Sequence, residues 1–122
     1  FQFLFYPSAW SQEVSIHSQT AIPNDSRFEL IQSTLAAKHT FLIDKFNGEC
    51  SVIRNDPELG LFWVKILKRP HSLDIIINKN KVNYQLFTSG LAAKHTFLIN
   101  VDTGASWRLV QDDDLMLWSP FQ

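Results

Sequence analysis

The stretch LAAKHTFLI occupies residues 35–43 and occurs again, letter for letter, at residues 91–99. The two copies are offset by 56 residues, and the match continues without a gap on both sides. FELIQST, which starts at Phe28, aligns with YQLFTSG, which starts at Tyr84. Self-similarity at a fixed offset indicates a repeated structural unit. We therefore predict two related units preceded by an N-terminal stretch.

Each unit has the sequence pattern of an antiparallel β-meander. The first strand alternates between two faces, and HTFLID at 39–44 is rich in the β-branched and aromatic side chains that favour strands. Asn47-Gly48 predicts a tight hairpin turn because both residues tolerate positive φ, and Thr103-Gly104 takes its place in the second unit. The prediction is an all-β fold in which two duplicated β-meander units pack as a small sandwich or barrel.

The chain length of 122 residues fits a single domain, residues 1–122. Within it, we expect residues 1–26 to form N-terminal strands and residues 27–70 to form the first unit. Residues 71–122 are predicted to form a connecting hairpin strand, with its tip at 78–81, followed by the second unit. The short segment STLAAKH sits between two strands, so we expect a loop there rather than a helix.

The core is expected to be aromatic-rich and symmetric between the two units. LFWVKIL at residues 61–67 is almost continuously apolar, which predicts a strand that is covered on both faces. The identical strands that follow each LAAKH segment are predicted to supply the centre of the core, through Phe41, Ile43, Phe97 and Ile99.

Bulk composition excludes several classes of partner. The formal net charge is −1, which provides no electrostatic attraction to nucleic acid or to an anionic membrane. No apolar run reaches the length of about twenty residues that a transmembrane helix needs. Cys50 is the only cysteine, so the chain forms no internal disulfide. The histidines lack metal-ligand spacing and DDD at 112–114 is predicted to be an acidic surface turn, so we expect no metal and no cofactor.

The beginning of the chain bears on its compartment, which the sequence leaves unknown. FQFLFYPSAWSQE is apolar and then small and polar, and Ala9-Trp10-Ser11 has the small-x-small form of a secretory cleavage site. The segment lacks a positive leading region and contains Pro7, which favours a Phe-rich edge strand instead. Export to the periplasm or the extracellular space stays open as an alternative.

Residues 101–106, VDTGAS, resemble the active-site loop of the retropepsin and pepsin families. The resemblance implies that Asp102 is a catalytic carboxylate, and that Thr103 and Gly104 buttress the loop. Those enzymes bring together two such carboxylates, which share a proton. The matching segment of the first unit is KFNGEC, in which Phe46 replaces Asp102, so only a homodimer could supply the pair.

A hairpin turn explains the same residues without chemistry. Asp at the start of a tight turn accepts backbone N–H groups, and Gly takes the left-handed position. Only 18 residues follow Gly104, and Arg108 stands where the peptidase families have a small or apolar residue. On this reading Asn47, Gly48, Thr103 and Gly104 form turns in both units, and no residue is catalytic.

The duplicated Lys-His pairs are the other candidate site. Lys38-His39 and Lys94-His95 are identical, although the sequence around them has diverged. One hypothesis is that each pair contacts a ligand or a partner. The alternatives are shared packing near the axis that relates the units, or local sequence exchange after a duplication, and these we favour.

The function that we predict is a non-catalytic binding or assembly module of unknown ligand. Its partner is expected to be another protein or a second copy of the chain, since pairing of sheet edges in a homo-oligomer protects them from solvent. The enzyme alternative is a retropepsin-like aspartic peptidase that acts as a homodimer through Asp102. A further alternative is a small apolar-ligand carrier with a closed cavity lined by Phe and Trp.

Overall fold

The computed structural model describes residues 22–92, 94–113 and 115–121. Eight β-strands lie in this part of the chain, and it contains no helix. The strands are β1 (Phe28–Gln32), β2 (Thr40–Asp44), β3 (Cys50–Asp56), β4 (Gly60–Lys68), β5 (Tyr84–Thr88), β6 (Thr96–Asn100), β7 (Ser106–Asp112) and β8 (Leu115–Pro120). The all-β prediction is confirmed. The predicted strands within residues 1–21, and the secretory pattern, lie outside the described residues.

All eight strands belong to one sheet in the order β1-β2-β3-β4-β8-β7-β6-β5. Strands β1 to β4 form one antiparallel meander and β5 to β8 form another. The two meanders meet where β4 runs parallel to β8, through the pairs Leu67–Leu117 and Lys68–Trp118. Strands β1 and β5, at the two edges, also contact each other, so the sheet curls into a nearly closed barrel.

The strand directions define two ends of this barrel. The upper end carries the β1–β2, β3–β4, β5–β6 and β7–β8 loops. The lower end carries the β2–β3 turn at 45–49, the β6–β7 turn at 101–105, and the connection 69–83 from β4 to β5. Both LAAKH segments therefore lie at the upper end, and the VDTGAS motif lies at the lower end.

The interior is filled by one cluster of buried apolar side chains from both meanders. Its largest members that are fully buried are Trp107, Trp118, Tyr84 and Phe41. Burying aromatic side chains of this size contributes about 1.5–3 kcal/mol each. The cluster ties the two meanders into a common core, because neither meander alone supplies all of its walls.

The two identical strands bury opposite faces, which was not predicted. Phe41 and Ile43 are fully buried, as expected. In the second copy Leu98 is fully buried, whereas Ile99 is 39% exposed and Phe97 only half-buried, so their predicted place at the centre of the core is wrong. The reason is the parallel β4–β8 pair. Superposing one meander on the other across such a junction needs a half-turn about the strand direction, which exchanges the two faces of the sheet.

Strand β4 is much more exposed than its apolar sequence predicts. Leu61 is 71% exposed, and Phe62, Trp63 and Val64 are each also exposed. Strand β4 pairs with β3 along its whole length but with β8 only at its last residues. Its upper part is therefore bordered on one side only within the described sheet, and the expectation that both faces are covered is wrong for this part of the chain.

The connection between the meanders also differs from the prediction. A hairpin was expected with its tip at 78–81, but residues 69–83 contain no strand. The fully buried Asn83 side chain organises this segment, because its Nδ2 group donates to the carbonyls of Phe46, Asn78 and Lys81 at 2.9–3.0 Å. Side-chain amides thus satisfy backbone carbonyls that a ladder would otherwise satisfy.

The part of the chain that the structure describes includes no helix with the length and apolar character that crossing a membrane would require.

Candidate functional site

Asp102 lies in the β6–β7 turn at the lower end of the barrel, where it is ion-paired. The Lys81 ammonium donates to its Oδ2 at 2.6 Å, and both side chains are partly exposed. The turn itself starts from the fully buried Asn100, whose Oδ1 accepts the N–H groups of Asp102 and Thr103 at 3.0 and 3.2 Å. Asp102 was expected to accept backbone N–H groups in the turn; in the structure Asn100 has that role.

The β2–β3 turn has the same hydrogen-bonding pattern. Asp44 occupies the position of Asn100, and its Oδ1 accepts the N–H of Phe46 at 3.0 Å. Asn47 Oδ1 accepts the N–H of Glu49 at 2.9 Å, and in the other turn Thr103 Oγ1 accepts the N–H of Ala105 at 3.3 Å. Gly48 and Gly104 have φ values of 83° and 79°, the left-handed region in which Gly carries no steric cost. The four residues predicted to form turns thus all lie in turns.

The two Lys-His pairs lie in different surroundings. His39 is buried and its ring is 6.0 Å from that of Phe41, whereas His95 is exposed and stacks on Phe97 at 6.2 Å. Lys38 and Lys94 are both exposed. The backbone is alike, since each His N–H donates to the Ala three residues earlier at 2.9 Å. The difference in burial follows from the exchange of faces, so the pairs are not equivalent as contact sites.

An open cavity of about 350 Å³ lies at the upper end, beside the β1–β2 loop. Its lining includes Lys38 from that loop, Arg54 from β3 and Met116 from β8. The half-buried Arg54 guanidinium donates to the carbonyl of Ile53 at 2.8 Å and to the Met116 sulfur at 3.1 Å. The cavity therefore combines cations with apolar side chains.

A polar cluster closes the lower end around Lys68. Its ammonium donates to Asp74 Oδ2 at 2.8 Å and lies 4.6 Å and 5.0 Å from the ring centroids of Tyr84 and Trp107. The Tyr84 hydroxyl donates to Asp74 Oδ1, and the Trp107 indole donates to the carbonyl of Arg69 at 2.8 Å. Cation–π contacts and charge-assisted hydrogen bonds thus fasten the β4–β5 connection to the core.

Titration in this cluster follows its hydrogen bonds. Burial alone would raise the pKa of Asp74, but hydrogen bonds from Lys68 and Tyr84, with the positive charge of Lys68, hold it below the ordinary value. The pKa of Tyr84 is raised well above its ordinary value, first by burial and then by the Asp74 carboxylate that accepts its proton. Asp74 is thus ionised and Tyr84 neutral near pH 7, an arrangement suited to structural support.

Cys50 is fully buried and lies away from any base that could activate it. Burial raises the pKa of its thiol to about 12, against smaller opposing effects of the Trp118 side chain and the Lys68 charge. A neutral thiol is a poor nucleophile and a poor metal ligand. Among the described residues no group of three His, Cys, Asp or Glu side chains is placed to hold a metal ion.

The outer surface of the second meander carries a row of exposed and half-exposed aromatic side chains. Phe87 is 57% exposed and stacks on Phe97 with ring centroids 6.0 Å apart and planes 5° apart. Phe121 contacts the other side of this row, 5.7 Å from Phe97. Contiguous apolar patches on a soluble surface commonly mark interaction sites. Of the features outside the core, this row and the cavity have the clearest capacity to bind.

Neither a protein-family model, nor a curated protein, nor a solved structure matches this chain. Function has to be inferred from the geometry of the chain itself.

Sequence reasoning did not find Arg54, Lys68 or Asp74. Each stands in an ordinary strand or loop pattern, and their neighbours in space come from distant parts of the chain: Met116 for Arg54, and Tyr84 with Trp107 for Lys68. The exposed aromatic row could have been found only by knowing which face of β5 and β6 turns outward, and the sequence is apolar on both.

Proposed function

We propose that this protein is a non-catalytic binding and assembly module, and that its first partner is a second copy of the same chain. The observation that carries the proposal is the pair of apolar outer faces on the two meanders. Each face resembles in sequence a face that is packed inside the core, so each is built to be covered.

The proposal includes a duplication with an offset of 56 residues, which the strand registers support. Phe28 pairs with Asp44 in the first meander and Tyr84 pairs with Asn100 in the second. The β2–β3 and β6–β7 turns are also alike, since Gly48 donates its N–H to the carbonyl of Asp44 at 2.8 Å and Gly104 to that of Asn100 at 2.9 Å. The correspondence ends at the last hairpin: Asp56–Gly60 closes a loop of three residues, Asp112–Leu115 one of two.

Under this duplication the exchange of faces has a consequence for assembly. The outer face of the second meander carries the counterparts of side chains that the first meander turns into the core: Phe87, Phe97 and Ile99 correspond to Ile31, Phe41 and Ile43. The outer face of the first meander carries the counterparts of core residues of the second: Phe28, Leu30 and Leu42 correspond to Tyr84, Leu86 and Leu98. Inside the barrel, faces of these two kinds already pack against each other.

The outer face of the second meander therefore fits the outer face of the first meander of another copy. Such a contact is head-to-tail, since the two surfaces that meet are different, and it generates rings or filaments rather than two-fold dimers. Burial of apolar area supplies the driving force at roughly 25 cal/mol per Å².

The test is the mass of the protein in solution, measured by light scattering or sedimentation over a range of concentrations. We expect species above the monomer mass of 14.1 kDa. Phe97→Glu removes the second-meander face and Leu42→Glu the first-meander face, so each variant alone should be monomeric. Leu59→Glu, at an 82% exposed position in the β3–β4 loop outside both faces, is the matched control and should associate normally.

Mixing the two variants distinguishes the geometries. A head-to-tail contact predicts that Phe97→Glu and Leu42→Glu together form a heterodimer, because each retains the face that the other lacks. A wild-type protein that is monomeric at every concentration would overturn self-assembly, and association without the mixed dimer would overturn the head-to-tail arrangement. Circular dichroism checks that each variant is folded.

The two alternatives from the sequence stay predictions. A homodimeric aspartic peptidase requires that Asp102 be released from Lys81 and that two copies meet; its test is cleavage of denatured casein at acid pH by the wild type and not by Asp102→Asn. A carrier of neutral apolar ligands requires space in the interior, where Trp107 and Trp118 are fully buried. Its test is a fluorescent apolar probe that binds with a defined stoichiometry.

A further inference from the structure

The cavity at the upper end of the barrel has the composition of a small-ligand site. Its volume of about 350 Å³ is at the lower end of the range for sites of small molecules. Four apolar residues contribute to its lining: Ala37, Ile53, Leu61 and Met116. Met adapts its shape to the molecule that it contacts, because its side chain is flexible and polarisable.

The charged residues of the cavity are all of one sign. Lys38 and Arg54 contribute to its lining, together with the neutral Asn55 and Gln111, and no carboxylate does. Arg54 is half-buried and takes part in none of the ion pairs among the described residues. Its two hydrogen bonds, to a carbonyl and to a weakly accepting sulfur, leave most of its five N–H donors for another acceptor.

A partly buried cation without a counter-ion favours the entry of an anion. Charge-assisted hydrogen bonds from a guanidinium to a carboxylate are among the stronger polar contacts in proteins. The apolar side chains at the same cavity favour a ligand whose remaining part is hydrocarbon. Charge and apolar lining together therefore select one chemical class.

We propose that this cavity binds a small amphipathic carboxylate, such as a medium-chain fatty acid. Arg54 and Lys38 contact the carboxylate, and Ile53, Leu61 and Met116 contact the hydrocarbon chain. The site is independent of the assembly faces, because its cationic residues lie at the upper end and not on the outer rows that carry Phe97 and Leu42.

The experiment is calorimetric titration with three probes: decanoate, decanol and acetate. Decanol has the chain without the charge, and acetate has the charge without the chain. We expect saturable one-to-one binding of decanoate, and affinities for the two other probes that are at least about tenfold weaker. Equal binding of decanoate and decanol, or no binding of decanoate, would overturn the proposal.

The repeat supplies a matched control for the residues. Arg54→Gln should weaken decanoate binding by about tenfold or more, and Lys38→Gln by a smaller factor because Lys38 is exposed. Lys94→Gln removes the same charge at the equivalent position of the β5–β6 loop, outside the cavity lining, and should bind decanoate like the wild type. If Lys38→Gln and Lys94→Gln lower the affinity equally, the effect is one of net charge and the site assignment is wrong.

Lys38 is exposed, so its substitution keeps the test open should Arg54→Gln fail to fold. The solution mass of each variant is read in the same experiment. Loss of decanoate binding with unchanged mass separates this site from the proposed assembly, and loss of assembly with unchanged decanoate binding separates the two in the other direction.

Discussion

At the scale of single residues, the lower turn of the second meander depends on Asn100 more than on Asp102. The fully buried Asn100 side chain accepts two backbone N–H groups and also donates to the carbonyl of Ile75 at 3.2 Å. Asp102 has a partly exposed ion pair with Lys81. Position in a motif therefore did not indicate which side chain holds the turn.

Substituting these two residues separates their contributions to stability. Asn100→Ala leaves several buried partners without hydrogen bonds and should lower the free energy of unfolding by about 2–4 kcal/mol. Asp102→Asn removes a surface ion pair and should cost no more than about 1 kcal/mol. Urea unfolding followed by Trp fluorescence measures both. A larger loss for Asp102→Asn than for Asn100→Ala would contradict this assignment.

At the scale of elements, the two glycine turns share a backbone conformation but not their surroundings. Gly48 and Gly104 both have positive φ. A Cβ atom at Gly48 would lie 3.1 Å from the Tyr84 ring, whereas one at Gly104 would meet nothing within 4 Å. The first turn is packed against the start of β5 and the second is open.

Alanine at each glycine measures this difference. Both variants should lose about 1–2 kcal/mol, because an L-residue is strained in the left-handed region. Gly48→Ala should lose about 1–3 kcal/mol more from crowding against Tyr84. Thermal or urea unfolding of the pair provides the comparison. Equal losses would show that Tyr84 moves aside without cost.

The identical strands β2 and β6 offer a second matched pair. Ile43 is fully buried and Ile99 is 39% exposed, although both occur in the same nine-residue sequence. Ile43→Ala should cost about 2–5 kcal/mol, in the range for cavities in a packed core, and Ile99→Ala only about 1 kcal/mol. The stability of the monomer is measured in urea at a low protein concentration, so that association does not contribute. Similar losses at both positions would contradict the exchange of faces.

At the scale of the whole molecule, the barrel is closed at its lower end by the connection 69–83. Lys68, Asp74 and Tyr84 form hydrogen bonds across this end, and the Asn100 amide contributes a longer contact to Asp74 at 3.4 Å. These groups come from β4, the connection, β5 and β6. The cluster therefore joins both meanders, and its charge state affects the stability of the whole fold.

The pH dependence of stability should report this cluster. The pKa of Asp74 is lower in the folded protein than in the unfolded chain, so its ionised form favours folding. The contribution is fully present above the unfolded pKa and is lost as pH falls through the folded pKa. Asp74→Asn should thus be less stable than the wild type by about 2–3 kcal/mol at pH 7. The gap should narrow as the pH falls below about 4.

Unfolding curves of both proteins between pH 7 and pH 2 provide the measurement, provided that the wild type remains folded at the start of each curve. Glu58→Gln is the control, since this carboxylate lies in the exposed β3–β4 loop. A difference between wild type and Asp74→Asn that does not change with pH would contradict the role of ionisation, and would leave only a contribution from shape or neutral hydrogen bonds.

The sequence by itself determined the all-β class, most of the strands and the turn glycines. Those features depend on local chemistry: β-branched and aromatic side chains favour strands, and positive φ requires Gly. They are contained within short segments such as HTFLI and Asn47-Gly48, so no distant residue was needed to predict them.

Only the tertiary structure decided which face of each strand is buried and which distant residues meet. HTFLI is apolar on both faces, and the parallel β4–β8 pair turns Phe41 inward and Phe97 outward. The meetings of Arg54 with Met116 and of Lys68 with Trp107 join residues that the chain keeps far apart. Such choices depend on how the sheet closes, because the burial of one face is gained only when the other meander covers it.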